Sequence, residues 1–225
     1  MRIFLSINIT RMKNLTLTLV AILSLSGCAL AQDIVLPEPD KKGGKPLMQA
    51  INERQSIRSF TNENLTQQQL SDLLWAANGI NRLDEKKRTA PSAMDYQEID
   101  VYVTLQSGVY LYNAEIHTLK FIKNKDIRNV TGTQSFVNNA AVNLVYVADM
   151  SKTGKRESVT INDSDLLIPY ADAGFVAQNV YLYCASADLG CVVRGLIPKE
   201  TLATELGLRS NQIILLAQTV GKISK

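Results

Sequence analysis

Ile99-Asp100-Val101-Tyr102-Val103-Thr104-Leu105-Gln106-Ser107-Gly108-Val109-Tyr110-Leu111-Tyr112 is the stretch on which the fold turns. Apolar residues at 99, 101, 103 and 105 alternate with Asp100, Tyr102 and Thr104, which is the period of a strand with two unlike faces. Ser107-Gly108 then turns the chain into a second strand, so the sheet contains an antiparallel hairpin. Downstream, Leu119-Lys120-Phe121-Ile122 reads as a further strand, and the apolar run 142–148 reads as one buried on both faces. Residues 212–219 form a final strand.

Helices surround these strands. The sequence turns helical at Leu47. Thr66-Gln67-Gln68-Gln69 fits a capping box, Leu70, Leu73, Leu74 and Ala77 make a helical stripe, and Gly79 is a stop. Residues 169–189 are apolar on nearly every side, interrupted mainly by Asp172, Gln178 and Asn179, and predict a central buried helix. A short helix spans 199–206. No repeat is present, and the pattern is α+β.

The chain has 225 residues, 46% of them hydrophobic, enough for one domain with a sizeable core. Arg2, Arg11 and Lys13 precede the apolar run 15–25 and the small residues of Ser26-Gly27-Cys28-Ala29-Leu30-Ala31, the layout of a secretory signal. Cleavage after Ala31 fits one pattern; acylation at Cys28, as in bacterial lipoproteins, fits another. Met12 is a second candidate start. There is no twin-arginine pair, so the chain is expected to cross the membrane unfolded and to lie in the periplasm or cell envelope. Residues 32–45, rich in Pro, Gly and charge, read as an extended linker, and 46–225 as the domain.

The formal charge of +3 belongs to the leader: 24 basic residues less three leaves 21, against 21 acidic. A neutral mature chain lacks the basic stripe a nucleic-acid binder needs. Cys184 and Cys191 lie across a helix end at a separation near or beyond disulfide reach, so free thiols are expected. No Cys or His cluster has metal-ligand spacing, and His117 reads as a surface residue without partners.

Arg54-Gln55-Ser56-Ile57-Arg58-Ser59-Phe60 sets two guanidinium groups and two hydroxyls within seven residues. Planar paired donors with a small hydroxyl suit a phosphate. Read in order with Thr89-Ala90-Pro91-Ser92-Ala93-Met94-Asp95-Tyr96-Gln97, the segments 174–179 and 188–195, and Ala217-Gln218-Thr219-Val220-Gly221-Lys222, it resembles the nitroreductase superfamily of FMN flavoproteins. The likeness covers roughly 46–222 and is closest to the compact branch that includes azoline oxidases, where stretches like 108–119 also occur.

The resemblance implies a central mixed or antiparallel sheet flanked by helices, a homodimer, and an FMN-dependent oxidoreductase that moves hydride or electrons through flavin N5 to or from a small nitro, quinone or similar molecule. NAD(P)H or another donor would reduce it. It implies Arg54, Gln55, Ser56 and Arg58 at the phosphate and ribityl end, with Lys222 or Lys225 closing the site; Pro91, Ser92 and Ala93 against the flavin ring; and the backbone of Val193, Arg194 and Gly195 facing N5 and O4, with Gly190 permitting close approach or ending the helix. Asp95 stands where relatives carry an asparagine, and its charge is expected to lower the flavin's potential. No protein side chain acts as nucleophile, and no metal is expected. Tyr110, Tyr112, Tyr170, Tyr181 and Tyr183 read as core and interface residues, not an aromatic cage. The alternatives are an exported flavin-binding or scavenging protein without catalysis, and a ligand-binding lipoprotein that uses the fold without flavin.

Overall fold

The computed structural model describes residues 32–155 and 160–224. The leader, with Cys28, and Lys225 lie outside the described residues. Seven strands form one sheet in the order β1 (Ile34–Val35), β6 (Thr118–Lys123), β5 (Gly108–Asn113), β4 (Ile99–Leu105), β7 (Val142–Asp149), β9 (Gln212–Lys222), β8 (Leu189–Arg194), and every neighbouring pair is antiparallel. The hairpin at Ser107-Gly108 forms as the alternation predicts. Gly108 is required there: its φ is +145° and a Cβ would stand 2.5 Å from the Lys123 carbonyl oxygen.

Strand β7 is buried along its whole length because both faces of the sheet are covered. On one face Val142, Leu144, Tyr146 and Ala148 pack with α2 (Gln67–Asn78) and α3 (Leu167–Ser186), and α1 (Leu47–Glu53) lies against α3; on the other Val145 and Val147 meet Leu202 and Leu206 of α4 (Lys199–Leu206). Helix α2 starts at the expected capping box, with Gln69 N–H donating to Thr66 Oγ1 (3.1 Å) and Thr66 N–H to Gln69 Oε1 (3.0 Å).

Helix α3 corrects the picture of an all-round buried helix. Pro169, Asp172, Ala173, Val176, Ala177, Val180, Tyr181 and Cys184 form one buried stripe, while Leu167, Ile168, Tyr170 and Phe175 are exposed, as are Leu47, Met48 and Ile51 of α1. The helix ends at Ser186, earlier than 189, and the left-handed residue of the reversal is Asp188 (φ 55°), not Gly190. That early end brings Cys184 and Cys191 together. Both thiols are free and buried, as expected, but they are neighbours, so the helical-rise argument fails for them; burial, reinforced by contact with Cys191, pushes the Cys184 thiol up.

The linker is docked. Ile34 and Val35 pair with Leu119 and Thr118, and Phe121 N–H donates to Asp33 Oδ1 (2.7 Å). Lys45 pins the far end of the arm, its Nζ contacting Asp188 (2.6 Å) and Glu53 (2.7 Å). His117 is likewise no free surface residue. It is half-buried between Ser71 Oγ (2.7 Å) and the Tyr112 hydroxyl (2.9 Å). Ser71 gives its own proton to Pro37 O, so Nε2–H donates to Ser71 and Nδ1 accepts from Tyr112, a neutral tautomer consistent with a pKa lowered by burial.

Among the described residues no helix is long and apolar enough to cross a membrane, and no group of three or more metal-ligating side chains occurs.

Candidate functional site

Strand β8 is an edge of the sheet, and edges need cover. The segment 54–61 supplies it. Ile57 N–H donates to Cys191 O (2.9 Å), Thr61 N–H to Lys222 O (2.9 Å), Ser224 N–H to Ser59 O (3.2 Å), and Phe60 bridges Ile223. Ile57 and Phe60 turn inward onto β8. Gly190 makes room for them, since a Cβ there would lie 2.9 Å from Ile57 Cγ2 and 3.2 Å from Phe60 Cε1. Its small size serves this packing.

The polar residues of the segment are left outward. Ser56 and Arg58 are exposed and Arg54 is half-buried; no carboxylate pairs with either guanidinium among the described residues. Arg54 lies over the Tyr181 ring, 5.3 Å from its centroid. The Tyr181 hydroxyl accepts from Val193 N–H (3.0 Å) and bonds Ser56 Oγ (2.8 Å), tying the fork to the edge strand. The spacing of Tyr181 on α3 signals burial in the core or an interface, and nothing local in the sequence signals the hydroxyl's two partners. Gln55 is exposed beside the fork.

Lys222 reaches the same edge, but its ammonium is paired with Glu63 (2.5 Å). Gly195 is exposed at the end of β8, with nothing within 4 Å of where a Cβ would project. The Arg194 side chain points inward, to Thr131 O (2.6 Å), Thr219 Oγ1 (3.0 Å) and Asn143 Oδ1 (3.1 Å), where burial lowers its pKa to about 10. Residue 194 therefore offers its backbone, not its guanidinium, to anything on the outer edge.

Pro91, Ser92, Ala93 and Asp95 belong to a different place. They lie between the hairpin β2 (Ile80–Arg82)–β3 (Lys87–Arg88) and β4, and Ala93 N–H donates to Asp172 Oδ2 (2.9 Å). Asp172 precedes Tyr181 by nine residues of α3, about 14 Å of helix. Within one chain the two halves are thus apart. Asp95 is paired with Lys87 (2.5 Å) and accepts from Gln97 Nε2 (3.2 Å); the Lys87 contact holds its carboxyl below the usual range. The lone negative charge expected at 95 is balanced.

The donor set at the fork fits an anion: two guanidiniums with no carboxylate partner among the described residues, and a hydroxyl. It fits the phosphate of FMN in particular only by the order of motifs along the chain.

Comparison with known proteins agrees. A curated Methanocaldococcus jannaschii protein named as a nitroreductase is 27% identical over 181 residues, covering 76% of this chain and 88% of that one. A Ralstonia eutropha crystal structure, also titled a nitroreductase, is 41% identical, with a TM-score of 0.79 over 86% of this chain and 90% of that one. A Desulfovibrio desulfuricans structure in complex with FMN shares the fold, with a TM-score of 0.57 at 22% identity over 80% of this chain and 88% of that one. The nitroreductase family model matches residues 51–222, so that the fork, the 91–97 turn and the β8 edge all fall inside it: the chain belongs to the nitroreductase family.

Proposed function

We propose that the protein is an exported FMN-dependent oxidoreductase that passes electrons from NAD(P)H or another donor to a small nitro, quinone or similar acceptor. The observation that carries the reading is the unpaired Arg54–Ser56–Arg58 fork on the β8 edge, next to exposed Gly195. Bound FMN supplies the redox chemistry. The chain supplies the rest: Arg54 and Arg58 hold the phosphate with paired N–H donors, Ser56 adds a third donor, and the backbone at 193–195 orients the ring. Within the family, the motif likeness of 54–60, 90–92 and 108–119 favours the azoline-oxidase-type branch.

A homodimer completes the site in this reading. The exposed apolar faces of α1 and α3 provide an interface, and the 91–95 turn of a second copy would close over a ring held at the first copy's fork. Export through the leader, with cleavage after Ala31 or acylation at Cys28, places it in the periplasm or envelope.

The test is the absorbance spectrum of the purified mature protein, before and after anaerobic addition of NADH or NADPH. A bleached flavin band is expected. Flavin that stays oxidised with every donor supports the non-catalytic binder, and a colourless protein that takes up no FMN overturns the reading. Light scattering on dilution checks the dimer: a monomer that retains FMN would contradict the composite site.

A further inference from the structure

The turn 92–97 is an improbable piece of backbone. Met94 (φ 51°), Asp95 (φ 56°) and Gln97 (φ 49°) are all left-handed, a region that residues with side chains avoid. Such strain persists only where the surroundings impose it. Most of the restraints are local or exposed: Gln97 N–H donates to Ser92 Oγ (3.0 Å), Asp95 pairs with Lys87, Gln97 Oε1 accepts from Arg88 (2.8 Å), and Lys152 reaches Gln97 O (3.2 Å). The one buried restraint is Asp172 of α3, 3% exposed, which accepts from Ala93 N–H.

Behind Asp172 lies Glu98, the residue that follows the turn. It is 0% exposed, and no other described residue donates a hydrogen bond to either carboxyl oxygen. Its side-chain neighbour is the Asp172 carboxyl. Two ionised carboxylates are acceptors only, so neither can satisfy the other, and in a dry site their charges repel. One proton changes this. A protonated Glu98 donates to Asp172, which keeps its other oxygen for Ala93 N–H.

We propose that Glu98 and Asp172 are positioning residues that share a proton and thereby hold the 92–97 turn in its left-handed form, the turn being released when that proton is lost. The charged groups around the pair do not remove the need for the proton. Lys152 faces Glu98 from the 150–153 turn but is engaged by Asp100 (2.7 Å) and Gln97 O; Arg88, from β3, lines the same small cavity as Asp172 and is committed to Gln97 and Asn78 O. Burial pushes the Glu98 carboxyl up to about 7, so the transition falls in the neutral range. The link to cofactor binding rests on the proposed placement of 91–95 against the flavin; the pair and its effect on the turn do not.

Amide hydrogen exchange of the full mature chain without FMN, corrected for intrinsic rate, tests it from pH 5.5 to 8.5. Protection of the Ala93 and Gln97 amides is expected to fall about tenfold per pH unit from about 5.5 up to about 7 and to level off above it, while amides of β7 stay protected. Glu98→Gln, whose amide donates at every pH, should hold the turn without pH dependence, and Asp172→Ala should leave it open throughout. A wild-type infrared band of a protonated carboxyl at pH 6, absent in Glu98→Gln, is the independent readout should a variant fold poorly. PH-independent protection in the wild type, or an unaltered slope in Glu98→Gln, overturns the proposal. FMN titration is run alongside: failure to bind FMN at any pH refutes the flavin reading, and exchange still decides on the pair.

Discussion

Replacing Tyr181 by Phe removes one oxygen from the joint between the fork and the sheet. The ring stays, and with it the Arg54 contact at 5.3 Å. Two hydrogen bonds go: Val193 N–H loses its acceptor and Ser56 Oγ its partner. Their fates differ. Ser56 is exposed and water replaces the tyrosine at little cost, whereas Val193 is half-buried beneath the ring on the β8 edge. A donor left unsatisfied in such a place costs about 1–3 kcal/mol, and partial access of water puts this one at the lower end, about 1–2 kcal/mol. For a domain of this size that is about 3–6 °C in Tm. Urea unfolding of the protein without FMN should show a lower midpoint at unchanged slope. Ser56→Ala should cost less than a few tenths of a kcal/mol alone, and the double variant should match Tyr181→Phe within about 0.5 kcal/mol. Superimposable melts for wild type and Tyr181→Phe would refute the claim that this hydroxyl ties the fork down.

Arg58→Ala should weaken FMN binding by about 2–3 kcal/mol in an equilibrium titration while riboflavin, which has no phosphate, binds as before. Because Lys87 already balances Asp95, Asp95→Asn should leave the FMN midpoint potential nearly unchanged, and Lys87→Ala should lower it. Gly190→Ala should displace Ile57 and Phe60 and destabilise by about 1–3 kcal/mol in a denaturant melt. The folded-state rise of Glu98 from 4.5 to about 7 gives a stability contribution fully present below pH 4.5 and lost as pH climbs through 7. That amounts to about 3 kcal/mol, and melts of the wild type compared with Glu98→Gln across this window measure it.

The strands were readable because their signals are local. The alternation at 99–105 admits one register, since a slip of one residue would send Val101 and Val103 to the wrong face, and the Thr66–Gln69 box closes on itself. What escaped depends on which segments meet. The arm at 33–36 looks merely extended until β6 is beside it. Cys184 and Cys191 look too far apart only while the helix is continued past Ser186. His117 gains partners from β5 and α2, which no spacing reveals. At the site, the two guanidiniums and the hydroxyl of the fork were legible from residue type and spacing alone. Tyr181 was not, for its hydroxyl matters through residues 125 positions before and 12 after. Asp172 did leave a trace as a charge inside an apolar helix, but its partner Glu98 stands just ahead of the strand pattern that begins at Ile99, a place that gives no reason to expect burial.

The stitching of 57–61 to 222–224 has a consequence for how the protein is made. Ser59 and Ser224 are 165 residues apart, among the longest-range backbone contacts in the chain. Loop closure over such a distance comes late in folding, and during synthesis β9 emerges after the other strands of the sheet. Arg54, Ser56 and Arg58 are therefore present early, but β8, the strand they lie against, is held in the sheet only through β9. A chain not yet extended through β9 carries the fork residues without the means to hold them together, so that anion binding at this edge would report that β9 is in place.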